Sequence, residues 1–246
     1  MKKCPFRAHI ERVSAASAAT GVLAPAGGLP SAEDGAGASE YRLLLVALGE
    51  DLRQLHNIQS IERKIEAKRG MIDRYRDWLD GALSAENPAE DEIVTTMLVW
   101  SIDIAEWPLA LDLARHALAY GLPLPERYRR SPGTMIAEEF AEAGLAPSPI
   151  VDLATLQQVD AMTELADMPD EVRAKLKKAI GLAFKARAEA FDPEAESDMA
   201  GGKGALIGAA IAHLERALAL DSRCGVKKLI EQLGREAKKI GQENAE

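Results

Sequence analysis

Several residue groups in this sequence have the types, though not the spacing, that site chemistry requires. Gly201-Gly202-Lys203-Gly204 has the glycine content of a phosphate cradle. A nucleotide loop, however, needs Gly-x-x-x-x-Gly-Lys followed by Ser or Thr after a strand, and Gly204 stands where the magnesium-binding hydroxyl belongs. Asp192, Glu194, Glu196 and Asp198 alternate like the first half of a calcium loop, yet Ser197 and Lys203 occupy the positions of its turn glycine and bidentate glutamate. Glu138, Glu139 and Glu142 share one helical stretch with no histidine at ligand spacing, so they read as a solvated face. Cys4 and His9 lack the further ligands of a zinc site, and His56, His116 and His213 stand singly. The residues therefore point to no catalytic centre, no metal and no cofactor.

The basic residues carry more information. Arg127, Arg129 and Arg130 flank Tyr128 between Pro125 and Pro132. Guanidinium groups bind phosphate as a fork, and a tyrosine beside them can stack or anchor. That loop is thus read equally as a nucleic-acid contact or as structural ion pairing. Lys2, Lys3, Arg7 and Arg12, against Glu11, make a second candidate for DNA contact. A third cluster, Arg63, Lys64, Lys68, Arg69, Arg74 and Arg76, is diluted by Glu62, Glu66 and Asp73 and reads as a charged helix face. With 39 acids and 30 bases the net charge is −9, which repels polyanions and anionic lipid, so any contact with nucleic acid must be local.

The elements that position these residues are helical. Apolar residues make up 47% of the 246 and aromatic residues only 4%, a balance that suits helices and disfavours sandwiches and barrels. From Glu40 an apolar stripe runs through Tyr41, Leu44 or Leu45, Leu48, Leu52, Leu55, Ile58, Ile61 and Ile65. Seven steps over 24 positions average about 3.4 residues, close to a coiled-coil repeat, and predict one long amphipathic helix from Tyr41 to Lys68 that assembles copies of the chain. A shorter helix follows Gly70. Glu90, Asp91 and Glu92 start a helical hairpin that Gly121 ends. Further helices are expected over Ile136–Ala143, Val151–Leu165, Pro169–Phe191, Ala205–Leu220 and Val226–Ile240. Residues 110–120 and 210–220 resemble each other and a tetratricopeptide-type helix.

The expected fold class is all-α, an amphipathic coiled-coil-like helix followed by helical hairpins that are partly tetratricopeptide-like. The expected division is 1–39, a basic and Ala/Gly/Pro-rich arm; 40–85, oligomerisation helices carrying Leu45, Leu48, Leu52, Leu55, Ile58, Ile61 and Ile65; 86–146, a central hairpin domain; and 147–246, a C-terminal helical domain. Two cysteines 220 positions apart suggest a reducing compartment. Arg7, Glu11 and Arg12 interrupt any signal-peptide core, so a soluble cytoplasmic protein is expected.

Three blocks carry a resemblance: Ala114 to Pro132, Ala166 to Leu176, and Gly225 to Leu233. With Thr96-Met-Leu-Val-Trp100 and His9 to Ala16, they lie in the order found in the small terminase subunit of peduovirus-type tailed phages, which the chain closely resembles. The resemblance implies a homo-oligomer, in ring form, that recognises phage double-stranded DNA at the cohesive-end packaging site in the host cytoplasm. It also implies delivery of that DNA to a large terminase subunit with ATPase and nuclease domains. Members are often called the terminase endonuclease subunit, but the residues supply no nuclease or ATPase motif. Residues 15–39 read as a flexible arm and nothing before them is long enough for the helix-turn-helix module of other small terminases, so the resemblance does not assign the DNA-contacting element. A helical protein-binding scaffold without DNA contact, or an endonuclease, are the competing readings.

Overall fold

The computed structural model describes residues 36–85, 91–192 and 202–243, and among them all regular structure is helical. The chain divides between Arg129 and Arg130 into two compact units.

The first unit contains α1 (Ala36–Asn57), α2 (Ile61–Met71), a single 3-10 turn (Ile72–Tyr75), α3 (Arg76–Leu83), α4 (Glu92–Asp103) and α5 (Trp107–Tyr120). Its centre is α4, which is almost wholly buried. Asp91 starts this helix by accepting from the N–H groups of Ile93 (2.8 Å) and Val94 (3.0 Å), satisfying donors that a helix start leaves orphaned. Its polar side chains also find partners: Ser101 donates to the Leu98 carbonyl at 2.8 Å and Thr95 to the Asp91 carbonyl at 3.2 Å. Trp100 meets Tyr75 edge-on, their rings 6.2 Å apart. Pro108 lies in the first turn of α5, where its missing N–H removes no helical bond.

The long helix expected from Tyr41 to Lys68 is two helices. α1 stops at Asn57, and Ser60 begins α2 by accepting from the Arg63 N–H at 3.3 Å. The apolar stripe continues through Ile58 and Ile61 across this break, which hydrophobic spacing alone does not register.

The second unit contains α6 (Pro132–Leu145), α7 (Leu153–Met162), α8 (Asp170–Glu189), α9 (Gly202–Leu220) and α10 (Lys227–Glu243). α8 packs against α6, α7 and α9, and α10 packs on α9. Phe140, Leu156, Leu176, Ile180, Leu206 and Leu214 are all buried and form its core. Ser131 and Asp152 cap α6 and α7 by accepting from the N–H groups of Thr134 (3.3 Å) and Thr155 (2.8 Å). The closest approach lies between α8 and α9, where a Cβ on Gly181 would sit 2.7 Å from Leu214 Cγ. Part of the glycine-rich segment expected to be a loop, Gly202 to Gly204, is the first turn of α9. The alternating acids beyond Asp192 lie outside the described residues. α5 and α9 bury alanines in the same register, Ala110 and Ala117 against Ala210 and Ala217, but the tetratricopeptide-like detail is not confirmed.

Candidate nucleic-acid interface

The arginine loop takes its shape from its own residues. Gly121 closes α5 with φ of 64°, a left-handed conformation that a side chain would strain. The Leu122 N–H then bonds back to the Ala117 carbonyl at 2.8 Å, burying Leu122. Pro123 and Pro125 fix two backbone angles, and a turn bond joins the Tyr128 N–H to the Pro125 carbonyl at 2.8 Å.

This path sets Arg127 against α4. Its Nη1 donates to Glu92 Oε1 at 3.1 Å and its Nη2 to Thr96 Oγ1 at 2.6 Å. Its guanidinium carbon lies 5.1 Å from the centre of the Tyr128 ring, close enough for a cation–π contact. Arg130, the first residue of the second unit, donates to Glu138 on α6 and lies 4.0 Å from Glu139 Oε1. Arg129 is exposed and makes no ion pair or hydrogen bond among the described residues. Two of the three neighbouring arginines are therefore engaged by carboxylates of their own units, and one is not. Lys2, Lys3, Arg7 and Arg12 lie outside the described residues.

Three residues of the third basic cluster form internal ion pairs, and Arg69 donates to the Ile104 carbonyl at 3.4 Å. Lys68 meets Asp103, Arg74 meets Asp51 at 3.2 Å, and Arg76 grips Glu106 with bonds of 2.9 and 3.1 Å while also reaching Asp73 at 2.7 Å. Two-point guanidinium–carboxylate contact of this kind fixes orientation as well as charge.

Beside Arg127 opens a cavity of about 490 Å³, lined in part by Tyr41, Asp91, Glu92, Glu126 and the Pro123-Leu124-Pro125 segment. Three carboxylates face one guanidinium there, the wrong balance for a phosphate. Tyr41 stacks on Trp78 (ring centres 5.2 Å apart, 28° between planes), and its hydroxyl accepts from the Glu92 N–H at 3.2 Å. Burial, reinforced by the Asp91 charge, pushes its pKa up to about 12. Burial also raises the Asp91 carboxyl above its ordinary range, opposed by bonds from the Val94 N–H, the Trp78 indole (2.7 Å) and the Ile93 N–H. His116 is buried, its Nε2 has no hydrogen-bond partner, and burial holds it below the usual histidine pKa. Among the described residues no three His, Cys, Asp or Glu side chains converge on a metal-sized site.

The residues expected to assemble copies of the chain divide by exposure. Leu48 and Leu55 are buried within the first unit, Leu45, Leu52, Ile58 and Ile65 are partly covered, and Ile61 is 76% exposed. On the outer side of α1, Leu43 and Val46 are each 63% exposed. Among the described residues no helix is long and apolar enough to cross a membrane.

This all-helical chain, with its arginine-bearing loop, belongs to the phage small terminase subunit family, whose model matches residues 45–171, from α1 into the start of α8. Among curated proteins it is similar to the "Terminase, endonuclease subunit" of Escherichia phage P2, with 38% identity over 237 residues that cover 95% of this chain and 85% of that one. No solved structure matches it. The family places the chain in phage DNA packaging.

Proposed function

We propose that this chain is the DNA-recognising adaptor of a phage packaging machine. It assembles into a homo-oligomer, recognises the cohesive-end packaging site on phage double-stranded DNA in the host cytoplasm, and delivers that DNA to the large terminase subunit. The observation that carries the reading is the family match over residues 45–171 together with 38% identity to the P2 protein across nearly the whole chain. Exposed Arg129, on a loop stiffened by two prolines, supports a local phosphate contact on an otherwise acidic molecule.

An electrophoretic shift with cohesive-end DNA against scrambled DNA, with and without the large subunit, tests this. Preferential binding of the cohesive-end duplex and a ternary complex are expected; equal indifference to both duplexes would sink the proposal. The name of the P2 protein favours a second reading, intrinsic endonuclease activity. Incubation of the purified chain with magnesium and supercoiled DNA separates the two, since nicking that a single carboxylate substitution abolishes would establish the second.

A further inference from the structure

Most cations in the second unit are held internally: Lys175 bridges Glu138 (3.2 Å) and Glu142 (2.7 Å), Lys177 meets Asp160 (2.7 Å), and Lys203 meets Glu236 (2.8 Å). α10 departs from this pattern. Lys227, Lys228, Arg235 and Lys238 are exposed and make no ion pair or hydrogen bond among the described residues. No other described element carries more than two such cations. Five bases, Lys239 included, against Glu231, Glu236 and Glu243 give this helix a net +2 in a chain of −9.

Helical geometry puts them in order. At 3.6 residues per turn, Lys227, Lys228, Arg235 and Lys238 fall within a sector of about 100°, with Glu231 the one acid among them. Leu229, Leu233, Ala237 and Ile240 lie on the opposite side, and Leu233 is buried. The row from Lys227 to Lys238 is about 16 Å long.

The local electrostatics are unfavourable to the helix itself. Its first turn holds two lysines and no acid, which places positive charge at the positive end of the backbone dipole, where it is unfavourable. Lys178 adds a further charge by donating to the Cys224 carbonyl at 2.8 Å, just ahead of the helix. A row of four cations that outnumbers the one acid on its face, kept against local preference, is what an external anion would explain.

We propose that the exposed face of α10 grips the phosphate backbone of duplex DNA, an assignment that rests on the packaging role proposed above. A 16 Å row matches the axial rise of about five nucleotides of one strand, and lysines on flexible stems act as point charges that need no fixed partner geometry. α10 lies beyond the residues that the family model matches. This contact would therefore supply sequence-independent hold, leaving base discrimination to another element.

The test uses the full chain and two fluorescent duplexes, one with the packaging site and one scrambled, titrated across a range of salt. The triple variant Lys228→Gln, Arg235→Gln, Lys238→Gln should weaken both duplexes alike by about a hundredfold at low salt and flatten the log–log salt slope by about 2.7. Lys228→Arg with Lys238→Arg should bind as the parent does. Unchanged affinity and slope in the triple variant, with the parent still binding, overturn the α10 site and leave the packaging role standing. Failure of the parent to bind either duplex overturns the role itself. Intact DNA affinity with lost large-subunit binding would make the face a protein-docking surface and overturn the proposal. Should the triple variant misfold, lysine acetylation of the parent decides: DNA should slow modification of Lys227, Lys228 and Lys238, and equal rates with and without DNA reject the contact.

Discussion

Tyr75 donates its hydroxyl to the Asp51 carboxylate at 2.7 Å, and both side chains are buried in the first unit. Arg74 Nη1 approaches both oxygens of the same carboxylate at 3.2 Å. Asp51 lies between Leu48 and Leu55 on the inward side of α1, so a single buried acid joins this helix to the 3-10 turn that follows α2. A buried carboxylate is tolerated only when its lone pairs are met.

Tyr75→Phe should lower the unfolding free energy by about 1–3 kcal/mol, because it removes one partner from a buried charge while keeping the ring against Trp100. Urea denaturation of the two proteins measures this. A variant as stable as the parent would mean that Arg74 alone satisfies Asp51.

The same two elements predict alkaline sensitivity. Burial, then the bond to Asp51, raises the Tyr75 pKa above the ordinary 10.0, and burial raises that of Tyr41 to about 12. Both groups therefore stay protonated in the folded chain after the unfolded chain has begun to ionise. Their contribution is complete below pH 10 and is lost as pH rises toward 12. Thermal midpoints should fall across that window, and less steeply in Tyr75→Phe.

Two helical glycines should respond oppositely to the same substitution. At Gly181 an added methyl would meet Leu214 Cγ at 2.7 Å and the Ala210 carbonyl at 3.2 Å, whereas at Gly208 nothing lies within 4 Å. Gly181→Ala should destabilise by about 1–3 kcal/mol through overpacking, reduced by the gain in helix propensity. Gly208→Ala should stabilise by about 0.5–1 kcal/mol. Calorimetry on both reports the contrast, and matching shifts would contradict the close approach of α8 and α9.

Assembly through α1 has to use side chains that the first unit leaves outside. Leu43→Asp with Val46→Asp should reduce the oligomer seen by light scattering without loss of helical circular dichroism. Leu48→Asp should instead unfold the unit, since it places a charge in the core. An oligomer untouched by the first pair would move the assembly surface off this helix.

Within the arginine loop the effects on DNA binding should be unequal. Arg129→Ala should flatten the salt slope by about 0.9. Arg127→Ala and Arg130→Ala should change it less, because Glu92 and Glu138 already neutralise those charges. Equal effects at all three positions, read by fluorescence anisotropy, would show that DNA displaces both carboxylates.

The helices were legible in the sequence where local signals mark their ends. Asp91, Pro108 and Gly121 frame α4 and α5, and the spans expected around residues 136–143, 151–165, 169–191, 205–220 and 226–240 each coincide with a helix. The break at residues 58–60 was not, because Ile58 and Ile61 keep the apolar rhythm while only the Ser60 hydroxyl marks a new start. Which bases are engaged was also hidden. Arg127 finds Glu92 at a separation of 35 positions and Lys175 finds Glu138 at 37, pairings that only the packed chain determines. The row on α10 had a readable signal, namely lysine and arginine at positions 227, 228, 235 and 238 opposite Leu229, Leu233 and Ile240.

The contact between the Tyr41 hydroxyl and the Glu92 N–H spans 51 positions of chain, whereas α4 and α5 are joined by a link of a few residues. Closing the longer loop costs more entropy before any contact offsets it, so α1 should dock after the α4–α5 pair has formed. Substitutions at Tyr41 or Asp51 should then speed unfolding and leave the folding rate nearly unchanged, while truncation of Trp100 should slow folding. Stopped-flow measurements of both arms separate these cases. Detachment of α1 would thus be the first step by which the first unit opens, and the lifetime of that attachment would limit the lifetime of any assembly built on α1.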